Sequence, residues 1–244
     1  GQNRYELLFL QNRFNVIIDI AEQRIESATC TADDFYWYSI TANKTGDMTK
    51  NVEILEKGTK KYPENERLHT LLAHAYFDIG NYAKAKKLLE ALPRNKQNKM
   101  KLAAIYEFNT DYYQAAQIYY DLHRQDTTNM LFLKDLGNNY YRMDSLAKAA
   151  FFYEKAWKIN PCSQPVAFRL ARIYQKTEEY EKSIERCYSI LSVDSLNTKF
   201  IKQAAFSYFK WEKYQQSKHL WAKILEIGDT TTFVIKYLGI SEMN

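Results

Sequence analysis

A repeat of about 34 residues constrains this chain more than any other feature of its sequence. In each copy a leading residue is followed directly by a small one and, in five of seven copies, by a tyrosine four positions on. The leading residues are Tyr38, Leu72, Leu102, Leu136, Leu170, Ala204 and Leu238, in steps of 34, 30, 34, 34, 34 and 34. A period of this length indicates a repeat architecture, in which each unit buries its apolar face by stacking on its neighbours.

The second half of each copy carries a matching pattern. A small or polar residue stands 13 positions after the leading one, as in Ala149, and a large apolar residue or a cysteine follows four positions later, as in Tyr153. This pattern predicts two helices in each copy, for example over 130–142 and 146–159, with 143–145 as the turn. The single 30-residue step predicts that one second helix ends early, near Leu92-Pro93-Arg94.

Composition supports a helical chain. Only 7 Gly and 4 Pro in 244 residues argue against turn-rich β folds, whereas 20 Tyr and 13 Phe offer aromatic packing material. No apolar run is long enough to cross a bilayer. The net charge of +5 is too small to indicate nucleic-acid binding unless it is concentrated on one face.

The register resembles the tetratricopeptide repeat (TPR) family, whose L-G-x-x-Y, A-x-x-x-F and P positions match Leu136-Gly137-Tyr140, Ala149-Tyr153 and Pro161. The resemblance implies an all-α fold, a right-handed α-solenoid of antiparallel helix pairs in a TPR-like superhelix. We expect one solenoid over 1–244. Its approximate units are 1–31, 32–65, 66–95, 96–129, 130–163, 164–197 and 198–231, with a half unit at 232–244.

No sequence motif of an enzyme, cofactor site or metal site is present. The chain lacks a Gly-rich phosphate loop, a nucleophile elbow and an H-E-x-x-H pattern, and His69 and His74 are five residues apart, on different helix faces. The three cysteines are widely spaced, so we interpret them as packing thiols rather than disulfides or zinc ligands. We interpret the carboxylates of Glu178, Glu179, Glu181 and Glu185 as a solvated outer face. The sequence therefore predicts a protein that is not an enzyme and needs no cofactor.

In the family that this chain resembles, the first helices line a concave groove that binds extended peptides. The family's groove positions fall on two basic and three acidic residues in the units led by Tyr38, Leu72 and Leu102. In the next three units all seven charged groove residues are basic. The predicted peptide-binding residues are Lys134, Asn138, Tyr141, Arg142, Phe168, Arg172, Lys176, Lys199, Lys202, Phe206, Phe209 and Lys210.

Cations interleaved with aromatic rings predict a protein or peptide partner that is acidic or ends in a carboxylate. Lys134, Asn138 and Lys199 are similar to positions of the carboxylate-clamp TPRs that hold chaperone C-terminal tails. However, Arg169 stands where that clamp has Asn, and Gln203 where it has Arg or Lys. A related anion site, rather than the chaperone-tail clamp itself, is the better expectation.

Two alternative functions stay open. The segment 232–243 is apolar nearly all round, so either the native chain continues past Asn244 or this helix docks on another subunit or domain. The first alternative is therefore a structural solenoid that self-associates through 232–244, and the second is a weak polyanion or RNA binder. The compartment is also open: cytoplasmic, or periplasmic if Gly1-Gln2 marks a processed or trimmed N-terminus.

Overall fold

The computed structural model describes residues 4–243, except for the side chain at position 242, and these residues form fifteen helices. The interpretation of Gly1-Gln2 and the possible continuation past Asn244 lie outside the described residues. The helices are α1 (Arg4–Leu10), α2 (Phe14–Ile25), α3 (Ala32–Thr45), α4 (Met48–Lys61), α5 (Glu66–Asp78), α6 (Tyr82–Ala91), α7 (Lys96–Phe108), α8 (Tyr112–Gln125), α9 (Met130–Arg142), α10 (Leu146–Ile159), α11 (Gln164–Lys176), α12 (Tyr180–Leu191), α13 (Thr198–Lys210), α14 (Tyr214–Glu226) and α15 (Thr232–Met243). The predicted all-α helical-repeat class is confirmed.

The chain divides into two compact units, Gly1–Thr110 and Asp111–Asn244, which we call unit 1 and unit 2. In each unit every helix packs against the next one along the chain. The first helices of successive repeats also contact each other, as α3 contacts α5 in unit 1 and α11 contacts α13 in unit 2. We call these first helices the inner helices and their partners the outer helices.

The repeat pattern predicts helix boundaries that the structure reproduces, and polar caps begin several of the helices. The predicted pair at 130–142 and 146–159 is confirmed as α9 and α10. The outer helix α6 is short, with 10 residues, and ends before Leu92, as the 30-residue step predicts. Asn65, Asn81 and Asn95 begin α5, α6 and α7 by accepting a hydrogen bond from the backbone N–H three residues on.

The turns inside helix pairs are built around one residue with left-handed backbone. This residue is a glycine in two of the seven turns, at Gly46 and Gly80, and another residue in the other five, namely Asn12, Thr110, Asp144, Glu178 and Glu212, with φ of 55° to 64°. Left-handed backbone costs a residue with a side chain about 1 kcal/mol or more, a cost that glycine avoids. Because five of the seven turns accept this cost, the repeat array contains few glycines.

Close packing inside a pair depends on the small residues of the repeat. A Cβ added at Gly137 would lie 2.9 Å from the Tyr153 ring, and both Ala149 and Tyr153 are fully buried. The Tyr153 ring lies against Gly137 of its own helix pair. Because the ring occupies the space of the missing side chain, this position admits only glycine without a shift of α9 relative to α10.

The cysteines are all free, but they differ in environment. Cys30 and Cys187 are buried, as expected for packing thiols. For Cys162 that prediction is wrong, because the residue is exposed in the turn after α10, where its backbone N–H bonds to Asn160 Oδ1 at 3.1 Å. The turn uses the backbone of Cys162 rather than its side chain.

Candidate functional site

The predicted peptide-binding residues lie on the three inner helices of unit 2, α9, α11 and α13, and we call the surface that they form the inner face of unit 2. Side chains of successive inner helices meet there. Arg169 and Lys176 of α11 reach Tyr141 of α9, and Lys199 of α13 reaches Phe168 of α11. The Gln203 side-chain amide donates to Gln175 Oε1 at 3.0 Å. These contacts make one continuous surface of residues that are far apart in the sequence.

Two aromatic rings on this face are each flanked by two cations. The Arg169 guanidinium and the Lys176 ammonium lie 5.3 and 5.0 Å from the centroid of the Tyr141 ring. The Lys199 ammonium lies 3.9 Å from the Phe168 ring centroid, and the Arg172 guanidinium 6.0 Å. Cation–π attraction at such distances contributes about 0.5–1 kcal/mol and holds each cation beside an apolar surface. The arrangement offers paired anion-binding and apolar-binding positions.

Most cations of the inner face have no carboxylate partner. Within the described residues no ion pair involves five of the predicted cations, nor Arg169; the five are Arg142, Arg172, Lys176, Lys199 and Lys210. Lys134 lies 3.8 Å from its neighbour Asp135, and Lys202 is paired with Asp229. The hydrogen bond from Lys202 lowers the pKa of Asp229 to about 2. Of the predicted cations, Lys202 is thus the one firmly neutralised by the chain.

A polar cluster lies beneath the α9 end of the inner face. The Tyr153 hydroxyl donates to Asn138 Oδ1 at 2.6 Å, and the Asn138 amide donates to Asp135 Oδ1 at 3.4 Å. Burial raises the pKa of the Asp135 carboxyl, against the opposing effect of Lys134. Burial also raises the pKa of Tyr153, so its hydroxyl stays protonated and available as a donor. Asn138 is therefore engaged within the fold.

At its α13 end the inner face is closed by α15. The Tyr237 ring lies 5.3 Å from Phe206 and 5.0 Å from Phe209, edge to face with both, and Phe233 lies 6.3 Å from Phe206. Tyr237 also stacks on the buried Trp221 at 5.7 Å. The predicted residues Phe206 and Phe209 are therefore half-buried packing partners of α15.

The inner helices of unit 1 carry similar residues but with charge compensation. The Arg67 guanidinium lies 3.1 Å from the Tyr36 ring centroid and pairs with Asp33 at 3.9 Å. The Lys101 ammonium lies 4.2 Å from the Phe77 ring and pairs with Asp78 at 2.7 Å. Both cations already have an anion from the chain itself.

Sequence reasoning missed three contributors to the inner face of unit 2. Arg169 stands out in the sequence only as a departure from the carboxylate clamp, although it flanks Tyr141. It lies directly before the leading Leu170, a position outside the family's groove set. Asp229 and Tyr237 were missed because they come from the last turn and from α15, whose docking the repeat pattern does not specify.

Within the described residues no group of three or more His, Cys, Asp or Glu side chains is placed to hold a metal ion. His74 is half-buried, its Nε2 lies 2.9 Å from Asn98 Oδ1, and burial lowers its pKa. In the same part of the chain no helix has the length and apolarity needed to cross a membrane.

Several solved structures of known proteins are similar to this chain. The chain is similar to the C-terminal part of a TPR repeat-containing protein from Cytophaga hutchinsonii, with 13% identity and a TM-score of 0.78. The match covers 96% of this chain and 98% of that one. A tetratricopeptide repeat protein from Parabacteroides merdae (16% identity, TM-score 0.62) covers 87% of this chain and 99% of its own. PilF of Pseudomonas aeruginosa (16% identity, TM-score 0.57) covers 87% and 97%. These likenesses define a helical-repeat fold.

The repeat itself is identified by the match of residues 44–105 to the tetratricopeptide repeat family model. This match and the TPR folds of the solved structures confirm the resemblance to the tetratricopeptide repeat family that the sequence pattern predicts. Such repeats generally serve as non-catalytic scaffolds for protein–protein interaction. The fold alone does not select a partner, so the proposal for this chain depends on the site.

Proposed function

We propose that this protein is a non-catalytic scaffold that binds an acidic, extended segment of a partner protein on the inner face of unit 2. The observation that carries the proposal is the set of cations around Tyr141 and Phe168 that lack a carboxylate partner in the described structure. Hydrogen bonds to charged groups contribute about 1.5–3 kcal/mol each when they are well made. An incoming carboxylate breaks no internal ion pair at these cations.

The spacing of charges and rings suits a peptide rather than a single anion. Cations lie beside both Tyr141 and Phe168, so an acidic residue can bind next to an apolar one along the same segment. Aromatic rings supply contact area at a low entropic cost, and the cations supply orientation. An acidic segment with interspersed apolar residues is the ligand that this surface favours.

The twelve predicted residues do not contribute equally to the proposal. Arg142, Arg172, Lys176 and Lys199 form its centre because they are unpaired in the described structure. Lys134 and Asn138 lie at one end, where Asp135 reduces the local positive charge. Lys202, Phe206 and Phe209 lie at the other end, where Asp229 and α15 already engage them, and Lys210 follows them.

Selection from a random peptide library against the intact chain tests this function before any partner is identified. We expect enriched peptides to carry Asp or Glu beside apolar residues, and to compete with one another for the same surface. Enrichment of basic or uncharged peptides would contradict the proposal. A single-stranded RNA oligonucleotide serves as the competing class, and tight RNA binding with a steep salt dependence would favour the polyanion alternative.

A second candidate function, self-association through α15, is favoured by the exposure of that helix. Phe233, Ile235 and Met243 are 47%, 56% and 80% exposed, although the opposite side of α15 packs on α14. Exposed apolar side chains in one short helix favour a protein contact. We propose a second copy of the chain as the partner of this surface.

Light scattering over a range of concentrations tests the second candidate. We expect the wild-type chain to form a dimer, and I235E together with M243E to make it monomeric. The variant K236E, on the same helix, is the control and should dimerise like the wild type. A wild-type chain that is monomeric throughout the range would exclude this candidate. Point variants are preferable to deletion of 232–244, because deletion would also uncover Phe206 and Phe209.

A further inference from the structure

A cavity of about 630 Å³ lies among α12, α13 and α14 of unit 2. None of the residues that line it is among the twelve predicted for peptide binding. The lining residues are Glu181, Lys182, Ile184, Glu185, Tyr208, Trp211, Lys213 and Gln216. The lining combines two aromatic rings with two carboxylates and two lysines, whereas none of the twelve predicted inner-face residues is a carboxylate.

The repeat shows what normally fills the corresponding place. Three tyrosines of the repeated slot each have a lysine eight residues further along the chain that lies over the aromatic ring. The distances from ammonium to ring centroid are 4.8 Å for Lys84 over Tyr76, 5.4 Å for Lys148 over Tyr140 and 5.4 Å for Lys182 over Tyr174. In these repeats the chain supplies its own cation to the tyrosine.

Tyr208 occupies the same slot in the last full repeat, but Gln216 stands at the position of the lysine. The partner of the hydroxyl also differs. Tyr174 donates to Glu154 at 2.7 Å, whereas at the equivalent position, 20 residues before Tyr208, the chain has Tyr188, which shares a hydrogen bond with the Tyr208 hydroxyl. Both charged groups that contact Tyr174 are thus absent at Tyr208, and Gln216, at the position of the lysine, lines the cavity.

The carboxylates of the lining differ in their partners. Glu181 and Glu185 are exposed at its edge, and no ion pair involves Glu181 in the described part of the chain. Of the two lysines in the lining, Lys182 pairs with Glu179 outside the cavity, whereas Lys213 lies over the Trp211 ring of the cavity wall at 3.6 Å. Glu185 accepts a hydrogen bond from Arg186 at 3.2 Å, and that arginine also pairs with Glu154.

We propose that this cavity binds a lysine or arginine side chain of a partner protein. The cation takes the place over the Tyr208 ring that the chain's own lysines take in other repeats, with Glu181 as the carboxylate of the lining that has no ion pair and Trp211 as an apolar wall. The proposal goes beyond the acidic ligand of the inner face, because it assigns a second surface of opposite charge preference. A partner with separate acidic and basic segments can contact both surfaces.

The test uses two small probes on the intact chain: Nα-acetyl-lysine N-methylamide and its uncharged analogue Nα-acetyl-norleucine N-methylamide, which lacks the ammonium group. Binding is followed by NMR through the indole signal of Trp211, which is assigned with W211F. We expect the lysine probe to bind about fivefold more tightly than the norleucine probe, as cation–π attraction of about 1 kcal/mol implies. Equal binding of the two probes would overturn the proposal.

The variant Q216K restores the internal cation and should abolish binding of the lysine probe. The matched control Q216M has a side chain of similar length without charge and should bind the probe like the wild type. Wild-type binding by a folded Q216K would overturn the proposal. Should Q216K fail to fold, E181Q, a change of one exposed side chain, gives the second test, with weaker lysine binding expected and unchanged binding contradicting the proposal.

Discussion

The inner helices of unit 1 and unit 2 share a packing scheme but differ in how their cations are compensated. Lys101 lies over Phe77 and pairs with Asp78 in unit 1. At the equivalent positions of unit 2, Arg169 lies over Tyr141, and the position of Asp78 is taken by Arg142. The same local geometry therefore yields a neutral surface in one unit and a cationic surface in the other. The count of charged groove residues already indicates this difference, and the ion pairs show which cations are compensated.

The difference also separates structural aromatic residues from those available to a ligand. Phe206 and Phe209 satisfy the same sequence rule as Tyr141 and Phe168, yet α15 packs on them. Tyr141 and Phe168 are instead flanked by cations of the neighbouring inner helix. Substitutions at the packed end of the inner face should therefore change stability, whereas those at its charged centre should change binding.

The largest expected effect is on the free energy of unfolding, at the end of the inner face where α15 packs on α13. Y237A should lower the free energy of unfolding by about 3 kcal/mol, because it removes a ring that contacts Phe206, Phe209 and Trp221. Denaturant unfolding measures the effect. K236A, on the exposed side of the same helix, serves as the control and should change stability by less than about 0.5 kcal/mol. A cost for Y237A as small as that of K236A would show that α15 does not close this face.

The next largest effect is expected on peptide affinity when unit 2 is given the charge pairing of unit 1. R142D places a carboxylate beside Arg169, as Asp78 lies beside Lys101 in unit 1, and should weaken binding of a selected acidic peptide roughly tenfold through the loss of one charge-assisted contact. Fluorescence anisotropy measures the affinity. The reverse change in unit 1, D78R, is the control and should leave that affinity within about twofold. Equal losses from both variants would contradict the comparison.

A smaller effect distinguishes two carboxylates of unit 2 by pH. Burial raises the pKa of Asp135 above 3.8, so the ionised form opposes folding once the pH rises past that value. D135N should therefore raise the melting temperature at neutral pH, and the gain should vanish as the pH falls below 3.8. Thermal unfolding followed by circular dichroism across this range measures the change, and a gain that persists in acid would contradict the cause.

Asp229 should behave in the opposite way. Its pKa is lowered from 3.8 to about 2, chiefly by the hydrogen bond from Lys202, so it stabilises the fold above 3.8 and loses this contribution as the pH falls through about 2. D229N should lower the melting temperature slightly at neutral pH and have no effect in strong acid. The same thermal scans measure it, and a stabilising D229N at neutral pH would exclude the Lys202 pair as a net favourable contact.

The smallest effect concerns the turns. Glu212 has a φ of 60°, a conformation that unit 1 assigns to Gly46 and Gly80. E212G should therefore raise the free energy of unfolding by about 0.5 kcal/mol, whereas G80A should lower it by about 1 kcal/mol. Denaturant unfolding of the two variants measures both values. A stabilising G80A would show that the left-handed turn is not required.

The helical repeat could be predicted from the sequence because it is a local and periodic property. The leading residues, Gly137 and the early end of α6 each reflect packing between chain segments adjacent in the sequence. The inner-face residues could be selected in the same way, from their offsets. Whether each cation has an ion-pair partner could not be predicted, because a carboxylate from another helix or turn, such as Asp229, must reach it.

The cavity among α12, α13 and α14 could not be predicted from the sequence for a related reason. The sequence predicts a solvated face at Glu181 and Glu185, which agrees with their exposure. Gln216 is informative only by comparison with Lys84, Lys148 and Lys182, once the structure shows those lysines over tyrosine rings. A missing member of a repeated contact is visible in the sequence only after the contact itself is known.

The affinity of a selected acidic peptide for R172E/K176E/K199E tests the central claim most directly. These three cations have no ion pair in the described structure, so their reversal should leave the helical circular dichroism unchanged and weaken binding by roughly 30-fold or more. R124E/K158E/K236E changes the net charge equally at exposed positions of α8, α10 and α15 and should retain binding within about threefold. Equal weakening by the two triple variants, or unchanged binding by the first, would contradict an acidic-ligand site on the inner face of unit 2.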